Sequence, residues 1–186
     1  MKQKLHAAWL LSAALFLLLT ACGIGSKTRI TLKWVDRFSL ADLDSGRSVS
    51  INRINGPEEL VYYQGGEEQG RVPWKESLAA ARYSRSKEAA LAMAELIEGY
   101  SSSKSISAED VETLRKEECL YSLAIVHMSS ELPVAAFLVT REGELVSDRK
   151  DAYSLLTYEE EDAKKLLDTL GLFFQENPGG KEEGDG

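Results

Sequence analysis

The 186-residue chain is short of the side chains on which most recognisable catalytic and metal sites are built. It has two cysteines, Cys22 and Cys119, and two histidines, His6 and His127. So few thiols exclude a disulfide framework, and without a Cys/His cluster a zinc site of the usual ligand spacing is excluded too. Long apolar runs are equally scarce. Only residues 5–21 form an uncharged stretch that approaches membrane-spanning length, which excludes a multi-span membrane protein. GxSxG, HExxH, the P-loop and a strand-to-helix GxGxxG are all absent, so the serine-elbow, zinc-hydrolase and nucleotide sites built on them have no foothold. Positive charge is also in deficit, 22 Lys+Arg against 30 Asp+Glu, a net charge of −8. That balance argues against nucleic acid, whose phosphates require clustered Lys and Arg, and against lying flat on an anionic bilayer.

What is present begins at the N-terminus. Lys2 and Lys4 precede the uncharged stretch from Leu5 to Ala21, densest in leucine between Leu15 and Leu19. A basic start, an apolar segment and small residues at its end read as a removable signal peptide. Leu19-Thr20-Ala21-Cys22 resembles the lipobox of bacterial lipoproteins, and the resemblance covers residues 1–23 alone. It implies a diacylglyceryl group on the Cys22 sulfur, cleavage just before Cys22, and a chain anchored outward-facing on the bacterial cell membrane. Two acyl chains, at ~0.8 kcal/mol per buried CH₂, hold far more firmly than one. Removal of residues 1–21 takes Lys2 and Lys4, leaving 20 basic against 30 acidic residues, a charge of −10. Residues 22–27 form the tether, and 23–27 span at most ~17 Å. The domain occupies 28–175, and the polar "NPGGKEEGDG" at 177–186 lies within a disordered tail, 176–186.

Within the domain, "TRITLKWV" (28–35) alternates as a half-buried strand, and "FSLADLDSGRSVSINRI" predicts a hairpin turning at Asp44-Ser45-Gly46 with Val49, Ile51 and Ile54 inward. Asn55-Gly56-Pro57 is a break, and "ELVYYQGGEEQGRV" predicts a second hairpin around Gly65-Gly66. Helix-favouring residues run from Pro73 to Tyr100, with Ala90, Met93, Ala94 and Ile97 on one stripe and Gly99 as C-cap. "SSSKS" (101–105) reads as a flexible loop, and "SAED" (107–110) as the capping box of a short helix. "CLYSLAIVHM" (119–128) predicts a central strand, followed by a hairpin at Glu142-Gly143 and a strand near "AYSLL". Thr157 and Glu160 read as a capping box for a last helix reaching Phe174, with Ala163, Leu166, Leu167, Leu170 and Phe174 buried. No internal repeat is visible. The order predicts an α+β fold: an antiparallel sheet from an N-terminal β meander and a C-terminal hairpin, with two to three helices packed on one face.

Candidate chemistry thins out on inspection. Cys119 and His127 share a strand but stand ~26 Å apart, too far for a nucleophile–base pair. "DLDSG" (42–46) departs from calcium-loop spacing, because Arg47 and Arg53 sit where glycine and glutamate are required. The acids 159–162 suit a helix start. Tyr62, Tyr63 and Trp74 are the candidate binding surface. No catalytic residue, metal or cofactor is assigned, and Cys22 is the one modification site. The chain therefore reads as a binding or accessory module of the cell envelope, held to the membrane through Cys22 and partnered by another envelope or membrane protein. The alternative is an envelope enzyme whose carboxylates and hydroxyls are dispersed along the sequence.

Overall fold

The computed structural model describes residue 32 and residues 35–52, 58–127, 133–149 and 152–175, all within one compact unit, Thr31–Gly186. The signal segment, Cys22, most of the strand expected at 28–35, Ile54, the break at 55–57 and the tail at 176–186 lie outside the described residues.

The element order is β1 (Val35–Asp42), β2 (Arg47–Asn52), β3 (Glu59–Gln64), β4 (Glu67–Pro73), two 3₁₀ turns (Trp74–Glu76 and Leu78–Ala81), α1 (Ser86–Glu98), β5 (Ser102–Ile106), α2 (Ala108–Glu117), β6 (Cys119–His127), β7 (Pro133–Thr140), β8 (Leu145–Arg149), β9 (Ala152–Thr157) and α3 (Glu160–Leu172). The strands form one nine-stranded sheet, ordered β4-β3-β2-β1-β6-β7-β8-β9-β5, with every neighbour antiparallel. The fold is α+β, as the sequence predicts.

The sheet has an internal symmetry that the sequence hides. Each half is a four-stranded meander followed by a helix, β1–β4 with α1 and β6–β9 with α3. The two first strands, β1 and β6, pair antiparallel at the centre. Alternation along each strand decides which residues meet the helices. Phe38 and Leu40 on β1 oppose Ile125 and Leu123 on β6, and all four are at most 1% exposed. Against this face α1 packs Ala90, Met93 and Ile97, and α3 packs Leu166 and Leu170, with Phe173 edge-on to Phe38 at 4.8 Å. Each fully buried Leu, Ile, Phe or Met contributes ~1.5–3 kcal/mol, so this layer is the main source of stability.

The third helix goes elsewhere. Leu138, Val146 and Leu155 alternate with the residues of the main core and therefore face the other side of the sheet. There they cluster with Val111 of α2 and with Cys119. So two helices share one face, and α2 covers the β7–β9 corner of the other. That placement explains β5. Passing from α1 to α2 carries the chain round the sheet edge, where the outer side of β9 offers unpaired backbone groups. Residues 102–106, most of the expected loop, pair in register with β9, beginning with the Ser101 N–H donating to the Thr157 carbonyl at 2.8 Å. Serine propensity is overridden by that ladder.

Two helix starts also differ from expectation. The Pro73–Tyr100 segment opens with 3₁₀ turns, because the Ser77 hydroxyl caps the second turn through the Ala80 N–H at 3.3 Å and the Trp74 indole donates to the Tyr83 carbonyl at 3.1 Å. Gly99 does cap α1, but at φ −78° rather than in a left-handed conformation. Thr157 is spent on β9, so Glu159 precedes α3 without a side-chain cap, and the acids Glu160, Glu161 and Asp162 favour the positive end of the helix. Phe173, not Phe174, enters the core; Phe174 stacks on Tyr121 at 5.8 Å under the Arg47 guanidinium. The capping box Ser107/Asp110 forms as expected.

One buried group is orphaned. The Ser86 backbone N–H donates to the Glu58 carboxylate at 3.1 Å, but the Ser86 hydroxyl, fully buried, has no hydrogen-bond partner among the described residues. An unmatched buried hydroxyl costs ~1–3 kcal/mol. Ser86→Ala is therefore expected to raise stability by about 1 kcal/mol in urea unfolding; an equal loss would show that the hydroxyl is bonded.

Candidate functional site

The three aromatic residues expected to share a surface are separated. Tyr62 points to the helix-covered face and is 3% exposed, and Trp74 is 2% exposed with its indole N–H bonded to the Tyr83 carbonyl. Both belong to the core, because the position of Tyr62 on β3 opposes Val49 in the helix-facing row. Tyr63, one residue on, faces the other side and stays half-buried.

That other side, over β1–β4, carries no helix among the described residues. Its pattern differs from the bed beneath α2: where β7–β9 present Leu138, Val146 and Leu155, the first meander presents Ser48, Ser50, Tyr63 and Arg71 around one buried apolar residue, Val61. A mostly polar face needs no helix over it. Strand register assembles the site. Ser39 on β1 opposes Ala124 on β6 and Ser50 on β2. Ser50 opposes Val61 on β3, and Val61 opposes Arg71 on β4. Arg37 lies beside Val126 in the next row. Arg37, Ser39, Ser50, Val61, Tyr63, Arg71 and Val126 are among the residues that line a cavity of about 330 Å³.

Two guanidiniums, Arg37 and Arg71, line this cavity, and no carboxylate does. Arg71 is held from the rim by a fork to Glu68, Nε to Oε1 at 2.8 Å and the terminal nitrogen to Oε2 at 3.0 Å. Its other nitrogen makes a longer contact of 3.4 Å to Glu59. This fork keeps the Glu68 carboxyl below the usual carboxylate range and raises the Arg71 pKa further. The hydroxyls of Ser39, Ser50 and Tyr63 have no hydrogen-bond partner among the described residues. The bulge between Tyr62 and Tyr63 brings Glu68 opposite Tyr63 and so sets the fork at the cavity edge.

A second cavity, about 450 Å³, lies between the β7–β8 hairpin and α3. It is lined by Glu142, Glu144, Glu160 and Asp168, with Tyr158 and Lys164. Burial, reinforced by the Glu142 charge, pushes the Glu144 carboxyl up. Tyr158 is committed structurally, donating to the Ile97 carbonyl at 2.8 Å, and burial pushes its hydroxyl up as well.

The remaining candidates serve the fold. Burial raises the Cys119 thiol pKa beneath α2, while His127 ends the same strand. In "DLDSG" the Asp42 carboxylate accepts from the N–H groups of Asp44 and Ser45 at 3.0 and 3.1 Å, Gly46 adopts φ +69°, and Asp44 pairs with Arg141 at 2.7 Å. Among the described residues, no three potential ligands converge on a metal position.

The open-face site was half legible. Alternation that turns Val49 and Ile51 inward leaves Ser48 and Ser50 on the outer face, and Tyr63 is the one of the three expected aromatics that lines the cavity. The meeting of Arg37, Ser50 and Arg71 depends on the register of four strands, which local sequence does not carry. No family model, curated protein or solved structure matches the chain.

Proposed function

We propose that this chain is a lipid-anchored, outward-facing lipoprotein of the bacterial cell envelope that binds a ligand in the open-face cavity, as a binding or accessory module rather than a catalyst. The observation that carries the anchor is Leu19-Thr20-Ala21-Cys22 at the end of the apolar segment. The binding role is supported by the cavity itself, where the hydroxyls of Ser39, Ser50 and Tyr63 have no partner among the described residues, since small-molecule sites combine a formed cleft with a few convergent polar groups.

A second reading, an envelope enzyme, draws on the carboxylates between the hairpin and α3, with Glu144 raised. It is the weaker of the two. Tyr158 is already bonded, and Glu160 is accounted for by the helix start.

Cys22→Ala tests the anchor. The variant is expected to keep residues 1–21 and run at precursor size, or to leave the membrane fraction. A variant of unchanged mature size that stays in the membrane fraction contradicts the proposal.

A further inference from the structure

We infer that the open-face cavity is one end of a binding site for a neutral oligosaccharide, which lies across the outer face of the sheet from Tyr63 towards α2. The inference rests on reading this cavity as the binding site.

Charge narrows the ligand first. Arg71 is paired with Glu68 and Glu59, and Arg37 is engaged as well. An ionic ligand would have to displace those partners and lose what they contribute, whereas a neutral one leaves them in place. What the cavity offers is the hydroxyls of Ser39, Ser50 and Tyr63, which have no hydrogen-bond partner among the described residues. A hydroxyl both donates and accepts, so each can meet a sugar hydroxyl in either direction. Sugar rings also carry an apolar C–H face. Val61 in the floor and the half-buried Tyr63 ring set apolar surface beside these hydroxyls.

The open surface continues past the cavity. Ser39 opposes Ala124 on β6, and Ala124 opposes Ala136 on β7. Ala124 is half-buried and Ala136 exposed, so their short side chains leave the floor clear between the first cavity and another on the same face, about 230 Å³. This second hollow lies against α2. Ala136, Ser122 and Tyr153 line it, with Glu112 and Arg115 of opposite sign. The hydroxyls of Ser122 and Tyr153 again have no partner among the described residues. The chemistry of the two ends therefore matches: hydroxyls, a tyrosine ring and no excess of one charge.

Length decides between one sugar and several. From Tyr63 on β3 to Ala136 on β7 the path crosses four strand spacings, about 19 Å. That exceeds a single sugar ring and suits a short chain of them. An extended peptide would instead add to a sheet edge, through its backbone, rather than cross the face.

The test uses the full-length chain in a non-ionic polyoxyethylene detergent, followed by NMR and calorimetric titration. The probes are chitotetraose and maltotetraose, their disaccharides chitobiose and maltose, and glycerol phosphate as an anion. The expected result is saturable binding of a tetrasaccharide, roughly tenfold tighter than its disaccharide. Tyr63→Ala should weaken it by roughly tenfold and Ser50→Ala by about threefold. The melting temperature of Ser50→Ala should stay unchanged, which separates loss of ligand contacts from loss of fold. Ala136→Glu puts a charge on the exposed floor between the hollows. It should weaken the tetrasaccharide by roughly tenfold and leave the disaccharide unaffected. Binding confined to chitotetraose identifies an N-acetylated glycan, and binding of maltotetraose a plain glucan; both support the inference. Equal affinity for tetrasaccharide and disaccharide, insensitive to Ala136→Glu, overturns the extended site. Binding of glycerol phosphate alone, weakened by Ser50→Ala, overturns the sugar while leaving the cavity as a binding site. Sugar binding unaffected by both Tyr63→Ala and Ser50→Ala overturns the cavity as well. No binding of any probe overturns the inference too, whereas the anchor stands or falls separately with Cys22→Ala.

Discussion

Gly143→Ala is expected to cost the fold about 3 kcal/mol or more, through backbone strain and overpacking together. Gly143 sits at the tip of the β7–β8 hairpin with φ +83°, in a conformation that L side chains rarely adopt. A Cβ there would lie 2.8 Å from the Ala163 Cβ, 2.9 Å from its carbonyl oxygen and 3.0 Å from its Cα. No flexible side chain can yield, because the obstruction is the first turn of α3 itself. Either the hairpin or the helix must shift, and the helix carries Leu166 and Leu170 into the core. Gly66 provides the control. It has φ +89° but nothing within 4 Å of the added atom, so Gly66→Ala should cost only the backbone term, about 1 kcal/mol. Urea unfolding of both variants measures the difference. Equal losses would mean that α3 does not rest on the hairpin.

Trp74→Ala is the second large effect, a loss of about 3–5 kcal/mol. Trp74 follows β4 directly, is 2% exposed and anchors the 3₁₀ segment through its bond to the Tyr83 carbonyl. Truncation leaves a cavity and an unpaired carbonyl together. For a domain whose whole stability is ~5–15 kcal/mol, that is a severe loss. Thermal unfolding checks it. If Trp74 instead formed an exposed binding surface, its removal would leave the melting temperature nearly unchanged.

These two residues show what local sequence can and cannot convey. The Glu142-Gly143 turn was legible because a hairpin of this kind needs a residue with positive φ, and glycine supplies it. The packing of Ala163 against that glycine was not, since it joins residues 20 apart through tertiary structure. Trp74 was recognisable as a large aromatic, but its burial depends on where the 3₁₀ segment lies against the sheet. The apolar run of β6 showed a central strand outright, and alternation in β1, β2 and β3 gave their faces. Residues 102–106 misled because their pairing comes entirely from β9, 49 residues away for Ser105 and Ser154, Cα opposite Cα. The internal two-fold was invisible for a related reason. It resides in strand order and pairing, while the two halves carry opposite polar patterns on the outer face, one for α2 and one for solvent.

The same contrast gives the site its meaning. The first meander's outer face carries Ser39, Ser50 and Tyr63, whose hydroxyls the described residues leave without a hydrogen-bond partner.

Everything proposed about location depends on Cys22. Mass spectrometry of the N-terminal peptide from the membrane fraction tests it most directly. The account predicts a mature chain that begins at Cys22 and carries a diacylglyceryl group on its sulfur, with residues 1–21 removed. A peptide that continues upstream of Cys22, or one in which Cys22 is an unmodified thiol, contradicts it.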